Sequence, residues 1–243
     1  MNSVSTATLL LRLAGPMQSW GLDSRFDQRD TGLEPSKSGV LGLVCAALGK
    51  PRDDQAGPWP SLAELASLRM GVRVLREGTL RVDFQTAGGG EFQGKRYGVW
   101  KASGSPGGTV VSPRHYLADA DFLVGFEGPL PLLRQIEEAL NNPVWQLSLG
   151  RKSYVPTLPI TFPPDQPQNP AVREAGLVES LTSFFEPGGA RTRTQHDPEK
   201  QRLVLEASLE STAERRQDVP LSFRDRAFAV RGVETRWLEM AHD

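Results

Sequence analysis

The stretch ADFLVGFEGPLPLLRQIEEALNN, residues 120–142, holds both periodicities that decide the fold. Ala120, Phe122, Val124 and Phe126 recur at every second residue, which puts them on one face of a β-strand. From Pro129 the period changes. Leu132, Leu133, Ile136 and Leu140 share one face of a helix that runs to Asn142.

Upstream, TLLLRLA (8–14) is a short apolar run that reads as a buried strand, ended by Gly15-Pro16. A polar loop, Met17 to Glu34, follows. In SKSGVLGLVCAALG (36–49), Leu41, Val44, Cys45 and Leu48 recur at helical spacing, Gly49 fits a C-cap, and Pro51 prevents continuation. Ser61 and Glu64 form a capping box for a short helix to Ser67. Met70, Val72 and Val74 alternate, as do Leu80, Val82 and Phe84, with Glu77-Gly78 between them, which predicts a hairpin. Trp145 to Leu149 reads as a further strand. The order strand, helix, strand, strand, helix, strand predicts an α+β fold with a ferredoxin-like core.

The chain has 243 residues, enough for one large domain or two small ones, and enough to bury a core without staples. Composition shifts at PTLPITFPPDQPQNP (156–170), with six prolines. Beyond it, Leu203 to Leu209 alternates and Ala227 to Val230 is apolar. This predicts a first domain over 1–155, then a proline-rich connection and small β-rich part over 156–243. The single cysteine, Cys45, excludes a disulfide framework and a four-cysteine zinc site. His115, His196 and His242 have no paired spacing, so no metal or other cofactor is expected. No apolar run approaches the roughly 20 residues of a membrane span, and Met1 to Thr8 does not read as a signal peptide. A cytoplasmic protein is expected. The net charge of −1 argues against gross attraction to nucleic acid and turns attention to local charge.

Two stretches lack acids. Phe92 to Ala118 has no Asp or Glu, but it holds Lys95, Arg96, Lys101 and Arg114, interleaved with Tyr97, Trp100, His115 and Tyr116. Cations that neutralise phosphates and aromatic faces that stack bases are the components of a nucleic-acid groove. Its glycines suggest a long flexible hairpin or loop; the plainer reading is a surface loop whose aromatics tuck into the core. The second stretch, Ala139 to Pro164, contains Gly150, Arg151, Lys152 and Ser153. Gly allows close backbone approach, and the other three bind phosphate. Alone, this is more simply a basic turn after a strand.

Ser36, Lys37, Ser38 and Gly39 open the first long helix, where free N–H groups and the dipole favour an anion. The alternative is N-capping by Ser36 or Ser38 with Lys37 solvated, and with Gly39 and Gly42 allowing the helix to pack closely. No G-x-S-x-G or H-E-x-x-H motif occurs. A metal-independent ribonuclease needs a general base, a general acid and a charge stabiliser. His115, Tyr116, Tyr97 and Lys101 are the only candidates.

RLAGPMQSWG (12–21), PSKSGVLGLVCAALGKPRDD (35–54), RHYLADADFLV (114–124) and LGRKSYVP (149–156) together resemble the CRISPR-associated RAMP-superfamily proteins of the CasD type, the fifth Cas family in subtype I-E Cascade. After Pro163 no motif matches. The resemblance implies an RNA-recognition core with a protruding β-hairpin thumb, mapped to about 88–113. It implies a non-catalytic subunit that caps the Cascade backbone and grips the 5′ handle of the crRNA. The implied partners are crRNA and the backbone and large Cascade subunits, with target DNA only through the complex and no membrane. The handle site would include Gln18 and Trp20, the Ser36–Gly39 helix start and the Gly150–Ser153 turn, with Trp20, Trp100 and Tyr116 stacking on bases. In the related I-C subtype the equivalent protein cuts repeat RNA, so a metal-independent endoribonuclease is the alternative. A ferredoxin-like interaction module without an RNA role is a third reading.

Overall fold

The computed structural model describes residues 6–21, 29–53, 56–88, 91–92, 95–96, 99, 103, 105, 107–162, 170–184, 200–212 and 214–239. The first strands are β1 (Thr6–Ala14) and the short β2 (Met17–Gln18). Helix α1 (Lys37–Leu48) starts where Ser36 Oγ accepts the Gly39 N–H at 3.3 Å and ends at Gly49, with φ 68°. Helix α2 (Leu62–Ser67) opens on a reciprocal Ser61–Glu64 capping box. Then come β3 (Arg69–Arg76), β4 (Thr79–Ala87), β5 (Glu91–Phe92), β6 (Lys95–Arg96), β7 (Val110–Ala118) and β8 (Asp121–Pro129). Helix α3 (Leu130–Asn141) buries Leu133, Ile136 and Leu140, the stripe read from its period. The chain continues through β9 (Val172–Arg173), α4 (Leu177–Thr182), β10 (Lys200–Ala207), β11 (Arg215–Ser222) and β12 (Ala227–Glu239). The architecture is mixed α/β, dominated by antiparallel sheet.

The main sheet has the order β11-β12-β10-β3-β8-β1-β9. On one face, Leu9, Leu11, Leu13, Met70, Val72, Val74, Phe122, Val124 and Phe126 pack with residues of α1 and α3. On the other, Leu10, Leu75, Leu123, Leu203 and Leu205 pack against Leu177, Leu181 and Phe184 from α4 and its end. Gly71 lets α4 approach: a Cβ there would lie 2.8 Å from Leu181 Cδ1 and 2.9 Å from Leu205 Cδ2. The buried Arg73 donates to Gln201 Oε1 (2.6 Å) and to the carbonyls of Leu181 (3.0 Å) and Phe184 (3.3 Å). A cation thus closes the carboxyl end of α4.

Two expectations need correction. The runs Met70–Val74 and Leu80–Phe84 do not form a hairpin. β3 pairs with β8 and β10, whereas β4 pairs with β7 in a separate sheet of order β2-β7-β4. β3 is buried on both faces and needs a partner on each edge; β4 is largely exposed. Alternation marks a strand but does not name its partner. Trp145 to Leu149 is not a strand either. Val144 and Trp145 instead donate their N–H groups to Ala47 and Ala46, carbonyls at the end of α1 (2.9 and 3.1 Å). Beside β1 the edge is taken by β9, through Thr8↔Arg173 and Leu9↔Val172. The C-terminal strands join the main sheet through Leu203↔Arg73, Val204↔Val72 and Leu205↔Gly71.

A buried ion cluster ties α1 to these C-terminal strands. Asp218 accepts the Lys37 backbone N–H (2.8 Å) and two bonds from Arg231 (2.6 and 2.9 Å). Lys37 Nζ donates to both carboxylate oxygens of Glu206 (3.0 and 2.9 Å). Glu34, just before the helix, pairs with Arg202 (2.5 Å) and with Arg216. Burial pushes the Asp218 carboxyl up. The Arg231 hydrogen bonds and charge and the Lys37 N–H outweigh it, and the net direction is down. A carboxylate depressed below its unfolded value of about 3.9 stabilises the fold above about pH 4, and that contribution is lost as pH falls through the folded value. Urea unfolding between about pH 5 and about pH 2 should therefore cost the wild type more stability than an Asp218→Asn variant, which starts lower and changes less. Equal losses would mean that this carboxylate is not held in its charged form.

Candidate nucleic-acid interface

The hairpin of β4 and β7 has two chemically different faces. Across the ladder, Leu80 faces Leu117, Val82 faces His115, Phe84 faces Pro113 and Thr86 faces Val111. Residues directly opposite share a face. Leu80, Val82, Phe84 and Val111 are all exposed, Phe84 by 69%. The alternate positions pair Arg81 with Tyr116, Asp83 with Arg114 and Gln85 with Ser112. That face is polar, cationic and aromatic.

At the hairpin root two further segments join the polar face. Arg29 forms a parallel bridge with Arg114, donates its N–H to Pro113 O (3.1 Å), and accepts the His115 N–H (2.8 Å). Residues 149–154 close a tight loop through Leu149 N–H to Tyr154 O (2.7 Å) and Tyr154 N–H to Arg151 O (2.8 Å). Gly150 has φ 93°, and a Cβ there would sit 1.8 Å from Ser19 O, so only glycine fits. The loop places Tyr154 beside Tyr116, with ring centroids 6.1 Å apart. Arg114 Nε is buried and has no hydrogen-bond partner. Arg29, Arg81, Arg114, Tyr116, Lys152 and Ser153 thus belong to one region, in which Arg29, Arg81, Lys152 and Ser153 are exposed.

The other sequence-predicted residues are placed differently. Trp20 is 1% exposed and donates its indole N–H to Gln18 Oε1 (3.1 Å), so no base can stack on it in this conformation. Gln18 is fully buried and donates to the carbonyls of Leu13 (2.9 Å) and Ala120 (2.8 Å). Both belong to the core because the Gln18 amide satisfies strand-end carbonyls that would otherwise be buried unpaired. Lys37 is 1% exposed and spends its charge on Glu206. Burial lowers its pKa, partly opposed by Glu206. Ser36 is the buried N-cap, Ser38 is half-buried, and Gly39 lies under Trp20, where a Cβ would come within 2.9 Å of Cε3. The helix start therefore faces inward and is not an open anion site. Lys37 has the sequence signature of a solvated cation, and only the fold brings two carboxylates to it.

His115 lies on the apolar face, its Nδ1 3.6 Å from Asp30 Oδ1, opposite in direction to Tyr116. Arg151 turns inward onto Tyr154 and backbone carbonyls. Lys95 and Arg96 form β6, opposite Phe92 and Glu91. Tyr97, Trp100 and Lys101 lie outside the described residues. The sequence reading does not single out Arg29, Arg81 or Tyr154; Arg81 is a polar position in the alternating run Leu80–Phe84. Arg29 sits in a loop with no periodicity; Tyr154 follows the Gly150–Ser153 turn directly and was within reach.

The model of the family described as CRISPR-associated protein (Cas_Cas5) matches residues 8–234. The chain belongs to this family. Among its relatives, the CRISPR system Cascade subunit CasD of Escherichia coli (strain K12) is 33% identical over 169 residues, which is 64% of this chain and 68% of the relative. A solved structure titled "Crystal structure of Cas protein" is 39% identical, with a TM-score of 0.69 over 96% of this chain and 95% of that one. A chain of a solved "CRISPR RNA-guided surveillance complex" is 34% identical, with a TM-score of 0.71 over 96% of this chain and 90% of that one. The fold of this Cas5-family chain therefore matches solved relatives across nearly its whole length, including the region after Pro163 where no sequence motif was legible.

For this Cas5-family protein, Lys37→Ala is expected to lower folding stability by about 3 kcal/mol, because it leaves the half-buried Glu206 with a weakened set of partners and a cavity where the Lys37 side chain was. The same change should leave the salt dependence of RNA binding unaltered. A stable variant with a flatter salt slope would return Lys37 to the RNA interface.

Proposed function

We propose that the chain is an RNA-binding, non-catalytic subunit of a Cascade-type CRISPR surveillance complex, which holds the 5′ handle of the crRNA on the cationic face of the β4–β7 hairpin root. The observation that carries this reading is the two-faced hairpin. Arg29, Arg81 and Arg114 are gathered with Tyr116 on one side, next to the exposed Lys152 and Ser153, while the apolar residues point to the other. Single-stranded RNA needs cations for phosphates and flat side chains for splayed bases. Membership of the Cas5 family and likeness to a Cascade subunit and a surveillance-complex chain support the same reading.

On this reading the strands β9-β1-β8-β3 with α1 and α3 are a ferredoxin-like core, since their order is fourth-first-third-second in the strand–helix–strand–strand–helix–strand series. The β4–β7 hairpin is the thumb, with its arms at Thr79–Ala87 and Val110–Ala118 and its connection between them, close to the 88–113 mapping. The face of the core that an RNA-recognition module leaves open is filled here by α4, which moves the RNA to the hairpin root. The exposed Leu80, Val82, Phe84 and Val111 supply an apolar face for a neighbouring protein subunit. Backbone and large subunits are the proposed protein partners, and target DNA is met only through the complex. The ribonuclease alternative is disfavoured by direction: His115 and Tyr116 point to opposite faces of β7, so they do not converge on one phosphate.

Binding of a labelled handle RNA, measured across a salt series, tests this reading. Lys152→Ala should weaken it and flatten the slope of log K against log salt by about 0.7, the value for one phosphate contact on a single strand. A wild-type protein with no salt-dependent binding would refute the proposal. Phe84→Asp should leave the thermal melt and RNA affinity unchanged, yet abolish co-purification with the partner subunits. Normal assembly of that variant would remove the apolar face from the interface.

A further inference from the structure

Arg151 sits in the basic turn, but its guanidinium is used inside the protein. Nη1 donates to the Tyr154 hydroxyl (2.8 Å), and Nη2 donates to His115 O (2.9 Å) and Arg29 O (3.2 Å). Its Cζ lies 5.3 Å from the centre of the Tyr154 ring. These contacts reach three chain segments: the 149–154 loop, β7 at the hairpin root, and the residues around Arg29. Among the described residues, the last are held to β7 by two backbone bonds, Arg29 N–H to Pro113 O and His115 N–H to Arg29 O. Two ladder bonds without a strand are a weak attachment. Arg151 binds the same Arg29 carbonyl from the side, and the planar fork of a guanidinium suits several fixed acceptors at once. Ser19 Oγ also donates to His115 O (3.3 Å), so the root is tied to the loop after β2 as well.

We propose that Arg151 is a positioning residue for the RNA interface and not itself a phosphate contact. It locks Arg29 alongside Arg114 and fixes the root of the hairpin, while Lys152 and Ser153, next in the chain, face solvent. The part of this assignment that concerns RNA rests on the proposed function; the clamp itself does not. A lysine cannot replace the clamp, because an ammonium lacks the planar fork that reaches the Tyr154 hydroxyl and two carbonyls together. As a phosphate ligand, lysine would serve nearly as well.

The test compares Arg151→Lys, Arg151→Ala and Lys152→Ala in the full chain by amide hydrogen exchange without RNA, and by handle-RNA binding across a salt series. Both Arg151 variants are expected to speed exchange at the His115 amide by about tenfold or more, as loss of hydrogen bonds from a charged donor implies. Both should weaken RNA binding without flattening the salt slope, whereas Lys152→Ala should flatten the slope and leave exchange unchanged. Should the Arg151 variants fail to fold, Tyr154→Phe removes one acceptor of the clamp and should still raise exchange at His115, to a smaller extent. Wild-type exchange and affinity in Arg151→Lys would overturn the proposal. So would unchanged exchange in Arg151→Ala, or in Tyr154→Phe where only that variant folds. If the wild type binds no RNA, the functional reading falls, and the exchange measurement still decides the clamp.

Discussion

Lys37 meets two carboxylates at once, Asp218 through its backbone N–H and Glu206 through its ammonium, and the rest of the structure is arranged around keeping those charges paired. An ammonium and carboxylates taken out of water cost several kcal/mol each unless their partners are well placed. Here the partners come from β10 and β11, far along the chain, with Arg231 of β12 completing the set. The pairing fixes the start of α1 against the C-terminal strands. Through Glu34, Arg202 and Arg216 it also fixes the path of the residues that enter the helix. This is why the sheet is continuous across the proline-rich segment: β10 must lie beside β3 for Glu206 to reach both Lys37 Nζ and the Met70 N–H.

That internal use of charge shapes the candidate interface. The helix start, basic and hydroxyl-rich in sequence, is closed off, and in the proposed function RNA meets the exposed cations at the hairpin root instead. A net charge of −1 is compatible with this, because paired interior charges cancel and two exposed arginines and a lysine at the hairpin root set the local potential. The core strands β1, β3 and β8 are covered by α4 on one face and by α1 and α3 on the other, so the proposed RNA site lies off this part of the sheet.

The hairpin concentrates the functional surface because it is the part the core does not need. Among its described residues, the apolar side chains do not reach the main cluster, except near the root, where Leu117 is buried and Tyr116 packs against the cluster. A strand pair with one apolar and one cationic face can touch a protein on one side and a nucleic acid on the other. The root must then be rigid if both contacts are to hold together. Tyr154, Tyr116 and the tight Gly150 turn supply that rigidity by packing and by backbone geometry.

Local physics determined much of this protein from the sequence alone. The Ser36 and Ser61 caps, the Gly49 terminus, the apolar stripe of α3 and the alternation in β3, β4 and β8 depend only on residues within a few positions of one another. The motifs that revealed the family are local as well. Tertiary structure alone decided which strands pair, because the period-two pattern is the same for a buried central strand such as β3 and an exposed arm such as β4. It alone decided the fates of Lys37, Gln18 and Trp20, whose hydrogen-bond partners lie from 2 to 181 positions away. A cation or an amide in sequence has no sign of burial until its counter-charge or acceptor arrives from elsewhere. Arg29 shows the converse: nothing local marks it, and it becomes part of the site only because the fold lays it along β7.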